Sequence, residues 1–155
     1  MALKGRGVLG EQPAFTAEHA LVDDYPLYLN TRHIKGCPES FDFGATSLVP
    51  KSDLRTWVQS QVMAATLGQP FVLVGHSINC DLRWLQDLAV DLDTWAFTAI
   101  DLGLVHFAAT SRTLSEGVLG LGHICKGALI PTPHSHNAGN DAMYTLLCFM
   151  SPLLF

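Results

Sequence analysis

The stretch Phe71-Val72-Leu73-Val74-Gly75-His76-Ser77-Ile78-Asn79-Cys80-Asp81 decides how the chain is read. Its first four residues are all apolar and lie between Pro70 and Gly75. So short a run, with no polar alternation, reads as a strand buried on both faces, as in a parallel sheet. A tight turn follows. A helix is then expected from about Cys80 to Leu88, with Leu82, Leu85 and Leu88 turned inward. Strand, turn and helix in that order place Asp81 at the carboxyl edge of the sheet, where open α/β folds hold their ligands.

Working outward, Ser52 reads as the N-cap of a helix over about 53–67, because Leu54, Trp57, Val58, Gln61 and Val62 recur at helical spacing. Gly68 is placed to end it. A second apolar run, Trp95 to Ile100, stops at Asp101 and reads as another buried strand. Helical patterns follow over 102–109 and 114–124, then a loop over 125–135 and a last helix over 138–150. Ala20 to Val22 and Leu27 to Leu29 read as short strands, and 30–50 as loop. Strands alternating with helices predict an α/β domain with a mainly parallel sheet.

Composition narrows the function classes. The chain has 155 residues, is 48% apolar and only 15% charged, and carries a formal net charge of −5. That excludes a disordered tail and argues against a basic clamp that binds nucleic acid by charge alone. No run reaches the ~18 apolar residues of a membrane span. The start has no apolar core of a signal peptide. The first 17 residues are glycine-rich and aperiodic and read as a flexible leader, with 18–155 as one domain. Cys37, Cys80, Cys125 and Cys148 form no CxxC pair, which points to reduced thiols in a cytoplasmic or nuclear setting.

A second chemical segment is His136-Asn137-Ala138-Gly139-Asn140-Asp141-Ala142, a polar turn opening an otherwise apolar helix. His136 and Asp141 are placed to project toward one point. Together with His76 to Asp81, this segment resembles the second and third motifs of the DEDDh 3′–5′ exonucleases of the ribonuclease H-like superfamily. Those motifs are a strand followed by His-Asn-x-x-Phe-Asp, and His-x-Ala-x-x-Asp opening the last helix. Here Ser77 and Cys80 replace the Asn and Phe. The fuller string, with Tyr144-Thr145-Leu146 after it and Phe41-Asp42-Phe43-Gly44 before it, is similar to a fungal branch. That branch is named for the yeast "good for full DEAD-box protein activity" factor.

The resemblance implies a ribonuclease H-like mixed sheet flanked by helices. It implies Asp81 and Asp141 as ligands of magnesium or manganese, and His136 as the base that takes a proton from the attacking water. His76, Asn79 and Asn137 would face the substrate, a single-stranded 3′ end of RNA or DNA. Asp101 and Asn140 would support the ligands or cap helices. The family's first motif, Asp-x-Glu on the first strand, has no counterpart before residue 70. Two carboxylates hold two divalent ions poorly, so catalysis is expected to be weak or absent. A fragment of a longer protein, a non-catalytic relative, and carboxylates supplied by the leader all remain open.

Two other functions compete. Gly75-His76-Ser77-Ile78-Asn79 approaches the Gly-x-Ser-x-Gly elbow of α/β-hydrolases, with Ser77, Asp101 and His136 in that fold's chain order. Asn79 in place of the last glycine, and the lack of an upstream oxyanion segment, count against an esterase. The other is a protein-interaction module in mRNA export or ribonucleoprotein assembly. Each acid also has a plain reading: Asp81 and Asp141 sit in helical first turns, where the helix dipole favours a negative charge. Trp57, Trp84 and Trp95 read as packing residues.

Overall fold

The computed structural model describes residues 15–24, 37–113 and 115–151. Within them are strands β1 (His19–Val22), β2 (Thr46–Val49), β3 (Phe71–Gly75) and β4 (Phe97–Asp101). The helices are α1 (Leu54–Thr66), α2 (Ile78–Asp87), α3 (Leu102–Ala109), α4 (Leu121–Gly127) and α5 (Ala138–Phe149). A 3₁₀ turn at Leu92–Thr94 precedes β4. The α/β class read from the sequence holds. Both described strand pairs are parallel: β1 with β2, Val22 opposite Val49, and β3 with β4, Gly75 opposite Asp101. The expected strand at Leu27 to Leu29, and most of the expected leader, lie outside the described residues.

Several expectations need correction. β3 and β4 are not buried on both faces: Val72 is 55% exposed. Each described sheet has two strands, so neither strand of the pair is flanked on both edges and cover is incomplete. β2 sits in the stretch read as loop, since Thr-Ser-Leu-Val offers too short a run to signal a strand. The N-cap of α1 is Asp53, not Ser52; the Ser52 hydroxyl instead donates to the Asp53 carboxylate at 2.9 Å. The helix expected over 114–124 begins only at Leu121 and runs through Cys125 to Gly127, because the chain first turns at Gly117, which has φ +64°. Trp84 is 63% exposed and is not a core residue.

The core lies between α3, α4 and α5. Leu102, Ile124, Cys125, Ala128, Tyr144 and Cys148 are buried together, with Phe43, Leu119, Leu121, Ile130 and Phe149 packed around them. Helix α5 is the centre of this arrangement, touching β1, β3, α3 and α4. By contrast, α1 buries only Leu54. The first turn of α5 is set close to its neighbours by Gly139. A Cβ there would stand 2.7 Å from Phe41 Cε2 and 3.0 Å from His19 Cβ. His19 is itself buried, with Nδ1 3.0 Å from the Thr46 hydroxyl, and desolvation holds its pKa below the usual value.

Gly139→Ala should therefore destabilise the fold by about 1–3 kcal/mol through overpacking against the Phe41 ring and the His19 side chain, read by urea unfolding at pH 7. A histidine kept neutral by burial supports the fold above its unfolded pKa of 6.5, and that support is lost as the pH falls below this value. Unfolding free energy should drop as the pH is lowered past that point. His19→Gln should remove this part of the pH dependence.

Candidate functional site

The parallel pair β3–β4 runs directly into α2 and α3, so both helix N-termini open at the carboxyl ends of the two strands. Asp101 closes this rim. Its carboxylate accepts from the backbone amides of Gly103 at 2.9 Å and Leu104 at 3.4 Å, capping α3. It also accepts from Ile78 at 3.1 Å and Ser77 at 3.3 Å, at the start of α2. One carboxylate thus satisfies amide donors of two helices that have no partners within their own helices. This also explains why α2 begins at Ile78, two residues earlier than the apolar spacing predicts. Ser77, the N-cap of α2, has left-handed backbone angles, φ +59° and ψ +41°.

His76 leads out of β3 and its Nε2 lies 2.8 Å from the Leu119 carbonyl. The ring is within electrostatic reach of both acids of interest, lowering the pKa of Asp81 and of Asp141. His136 acts in the same sense on Asp141. Both acids nonetheless titrate above the ordinary value of 3.8, because lost hydration is the largest influence on each; the Asp101 charge adds to this at Asp81. The Asp141 carboxylate accepts from the backbone N–H of His136 at 3.1 and 3.2 Å, which holds His136 at φ +68°. Asp81 lies in the exposed first turn of α2, next to Asn79 and Cys80, which are also exposed.

The two asparagines of the His136 to Asp141 segment point inward. Asn137 is 1% exposed and Asn140 0%. The Asn137 side chain caps α5 by accepting from the Asn140 N–H at 3.1 Å, and its amide donates to the carbonyls of Cys37 and Pro38 at 3.1 and 3.0 Å. Asn140 donates to the carbonyls of Ser40 and His134 at 2.7 and 3.1 Å, and accepts from the Asp42 N–H at 2.9 Å. Asn140 thus ties the helix opening to the loop from inside. Asn137 spends its amide on the loop over 37–43 rather than presenting it to solvent.

One group of polar side chains escaped the sequence reading. Asp42 pairs with His134, Oδ1 to Nδ1 at 2.7 Å, and its other oxygen accepts from the Tyr144 hydroxyl at 3.1 Å. Burial and this acidic partner push the Tyr144 pKa up to about 12. The signal was present in Phe41-Asp42-Phe43-Gly44 and in Tyr144, but nothing local shows that they meet His134.

The hydrolase constellation is not assembled. Asp101 is engaged by backbone amides, no hydrogen bond links Ser77 to a histidine among the described residues, and the histidine at 136 is coupled to Asp141 instead. Nor do the acids of the rim make a full ion site. Among the described residues, no group of three or more His, Cys, Asp or Glu side chains is arranged to hold a metal ion. Asp81 and Asp141 alone do not fit a pair of divalent ions, which need six or more oxygen ligands each.

What the fold and rim define is an α/β domain with histidines and acids gathered where two parallel strands give way to helices. The family model described as DEDDh_C, DNA polymerase III subunit epsilon-like, C-terminal domain, matches residues 4–151. The chain belongs to that family and is a DEDDh exonuclease-like domain. The match begins inside the stretch read as a leader. No curated protein and no solved structure matches the chain. No described helix is long and apolar enough to cross a membrane.

The raised pKa of Asp141 has a measurable sign. The stability this group allows is fully present below pH 3.8 and declines as the pH rises through its folded value, since ionisation then costs the folded state more than the unfolded chain. Asp141→Asn keeps an oxygen for the His136 N–H and removes that cost. Its stability relative to the parent should increase from pH 4 toward neutrality and then level off, in chemical melts across about pH 4–7. Asp101→Ala should destabilise by about 1–2 kcal/mol at all these values through loss of the shared cap.

Proposed function

We propose that this chain is a nucleic-acid-binding exonuclease-like domain with weak or absent catalysis. The observation that carries this reading is family membership over residues 4–151, together with Asp81 in the first turn of the helix that follows β3 and Asp141 bonded to the His136 amide. That membership supports a nucleic-acid substrate, taken in this reading as a phosphodiester chain with a 3′ end. In this reading His76 and Asn79 face the substrate and His136 is the proton acceptor. Asn137, Asn140 and Asp101 hold the loops in place. Bound divalent ions would supply charge neutralisation at the phosphate, but the two acids at hand form too small a donor set. The low catalytic power follows from that shortage. The fungal affiliation and the loss of an Asp-x-Glu strand belong to this same proposal.

The net charge of −5 sets the expected affinity. With few basic side chains, binding rests on the rim rather than on counterion release, so its salt dependence should be shallow.

A specific feature favours a second reading, a non-catalytic interaction module. An open cleft of about 270 Å³ lies between Thr16, Ala17 and Glu18, the β3 residues Val72 and Val74, and the α5 face of Ala142, Met143 and Leu146. Its apolar walls beside a sheet edge suit an extended peptide.

The deciding experiment uses 5′-labelled single-stranded RNA and DNA with magnesium or manganese. Binding by fluorescence anisotropy is expected, with little shortening on gels, and any residual shortening should vanish in Asp141→Ala. Robust digestion lost in that variant would overturn the low-activity assignment. Absence of binding to either polymer would overturn the nucleic-acid reading and leave the cleft as the functional surface.

A further inference from the structure

Two of the four cysteines meet in the core and play no part in the rim. Cys125 on α4 and Cys148 on α5 are both 0% exposed, and their sulfurs stand 3.1 Å apart in a thiol–thiol hydrogen bond. The other two are elsewhere: Cys37 donates to the Ser135 carbonyl at 3.6 Å, and Cys80 is exposed on α2. We propose that Cys125 and Cys148 form a modification site, a thiol pair that a small hydroperoxide converts into an internal disulfide joining α4 to α5.

The geometry leaves little to be moved. A disulfide needs about 2.0 Å between its sulfurs, so each side chain has to shift by roughly half an ångström. Burial selects the oxidant by size. Hydrogen peroxide reaches such a site through a slight opening of α4, whereas a peptide disulfide requires much more. That opening is helped by composition: α4 has only seven residues, starts after Gly120, contains Gly122 and ends at Gly127, and glycine weakens a helix relative to alanine.

Either thiol can donate in this contact, and burial acts upward on both pKa values. Cys125, on the short helix whose opening admits peroxide, is the sulfur that attacks. The O–O bond breaks, hydroxide leaves and takes up the Cys125 proton as water, and Cys125 becomes a sulfenic acid. The Cys148 sulfur then attacks the Cys125 sulfur. The S–O bond breaks, and the departing hydroxide leaves with the Cys148 proton as a second water. Two thiols and one hydrogen peroxide give one disulfide and two waters, with two electrons passing from sulfur to peroxide. The new bond would enclose His136, Asn137, Asn140 and Asp141 in one covalent loop, so oxidation would stiffen the segment that carries half of the rim.

The test uses the full chain carrying Cys37→Ser and Cys80→Ser, which retains only the buried pair. After native treatment with hydrogen peroxide, the intact mass should fall by two hydrogens. Non-reducing peptide mapping should recover the 125–148 linkage, and dithiothreitol should reverse it. The midpoint of thermal unfolding should rise by roughly 5 °C or more on oxidation. Cys148→Ala should halt at the sulfenic acid, trapped on Cys125 by dimedone; should that variant not fold, the double serine chain decides alone. Two unmodified thiols after native peroxide treatment, or a linkage that appears only in denaturant, would overturn the proposal.

Discussion

Everything at the rim depends on two amide side chains held without water. Asn137 and Asn140 are nearly a hundred residues from the loop over 37–43 in sequence, yet they supply most of the polar bonds that fasten it to α5. A buried amide left unpaired costs on the order of 1–3 kcal/mol, so the two side-chain amides are matched to the carbonyls of Cys37, Pro38 and Ser40. Met by these bonds, the loop brings Phe41 and Phe43 onto the helix. Phe41 fills the space left by Gly139, and Phe43 packs edge-on against Tyr144. The turn at His134 to His136 is then fixed from both sides, by Asn140 at the His134 carbonyl and by Asp141 at the His136 amide. The placement of Asp141 against the His136 amide is a by-product of this packing.

A second carboxylate does comparable work on the opposite side. Asp101 ends β4, begins α3 and reaches across to the first amides of α2. The parallel register of Gly75 with Asp101 makes this reach possible, since it sets the two strand ends level. Paired parallel strands that end together and share one capping acid bring two helix N-termini side by side. Their partial positive charges are compensated by Asp101, which leaves Asp81 in a less favourable field than its first-turn place alone would give. The Asp101 charge adds a lesser part to the upward shift of Asp81, whose largest cause is lost hydration.

Much of this was legible in the residues. The apolar run at 71–74, the strand ending at Asp101 and the helix opening at Ala138 are each defined by local pattern, and each lies where expected within two residues. α3 falls on its expected bounds. Local pattern could not reveal β2, whose four residues gain strand character only from pairing with β1. It also misplaced α4, because Val118 and Leu119 extend the apolar pattern backwards past Gly117 and Gly120, where the backbone cannot follow. At the site, the sequence singled out Asp81, Asp101, His136 and Asp141. It did not reveal that Asn137 faces inward or that Asp42, His134 and Tyr144 meet, since those contacts join segments separated by 92 and 102 residues. Burial on both faces of β3 was read from apolarity alone, which reports what a strand can bury and not whether a neighbour is there to bury it.

The two described sheets share no strand. Helix α5 is the element that touches both, β1 through its first turn and β3 along its body. Among the described residues, coupling between the two pairs therefore runs largely through side-chain packing on α5, with no ladder of backbone bonds from one to the other. Such a junction favours two separate exchange units. Amide protons of the β1–β2 ladder would be released by detachment of α5's first turn, while those of β3–β4 would stay protected until the helix body itself lifts away.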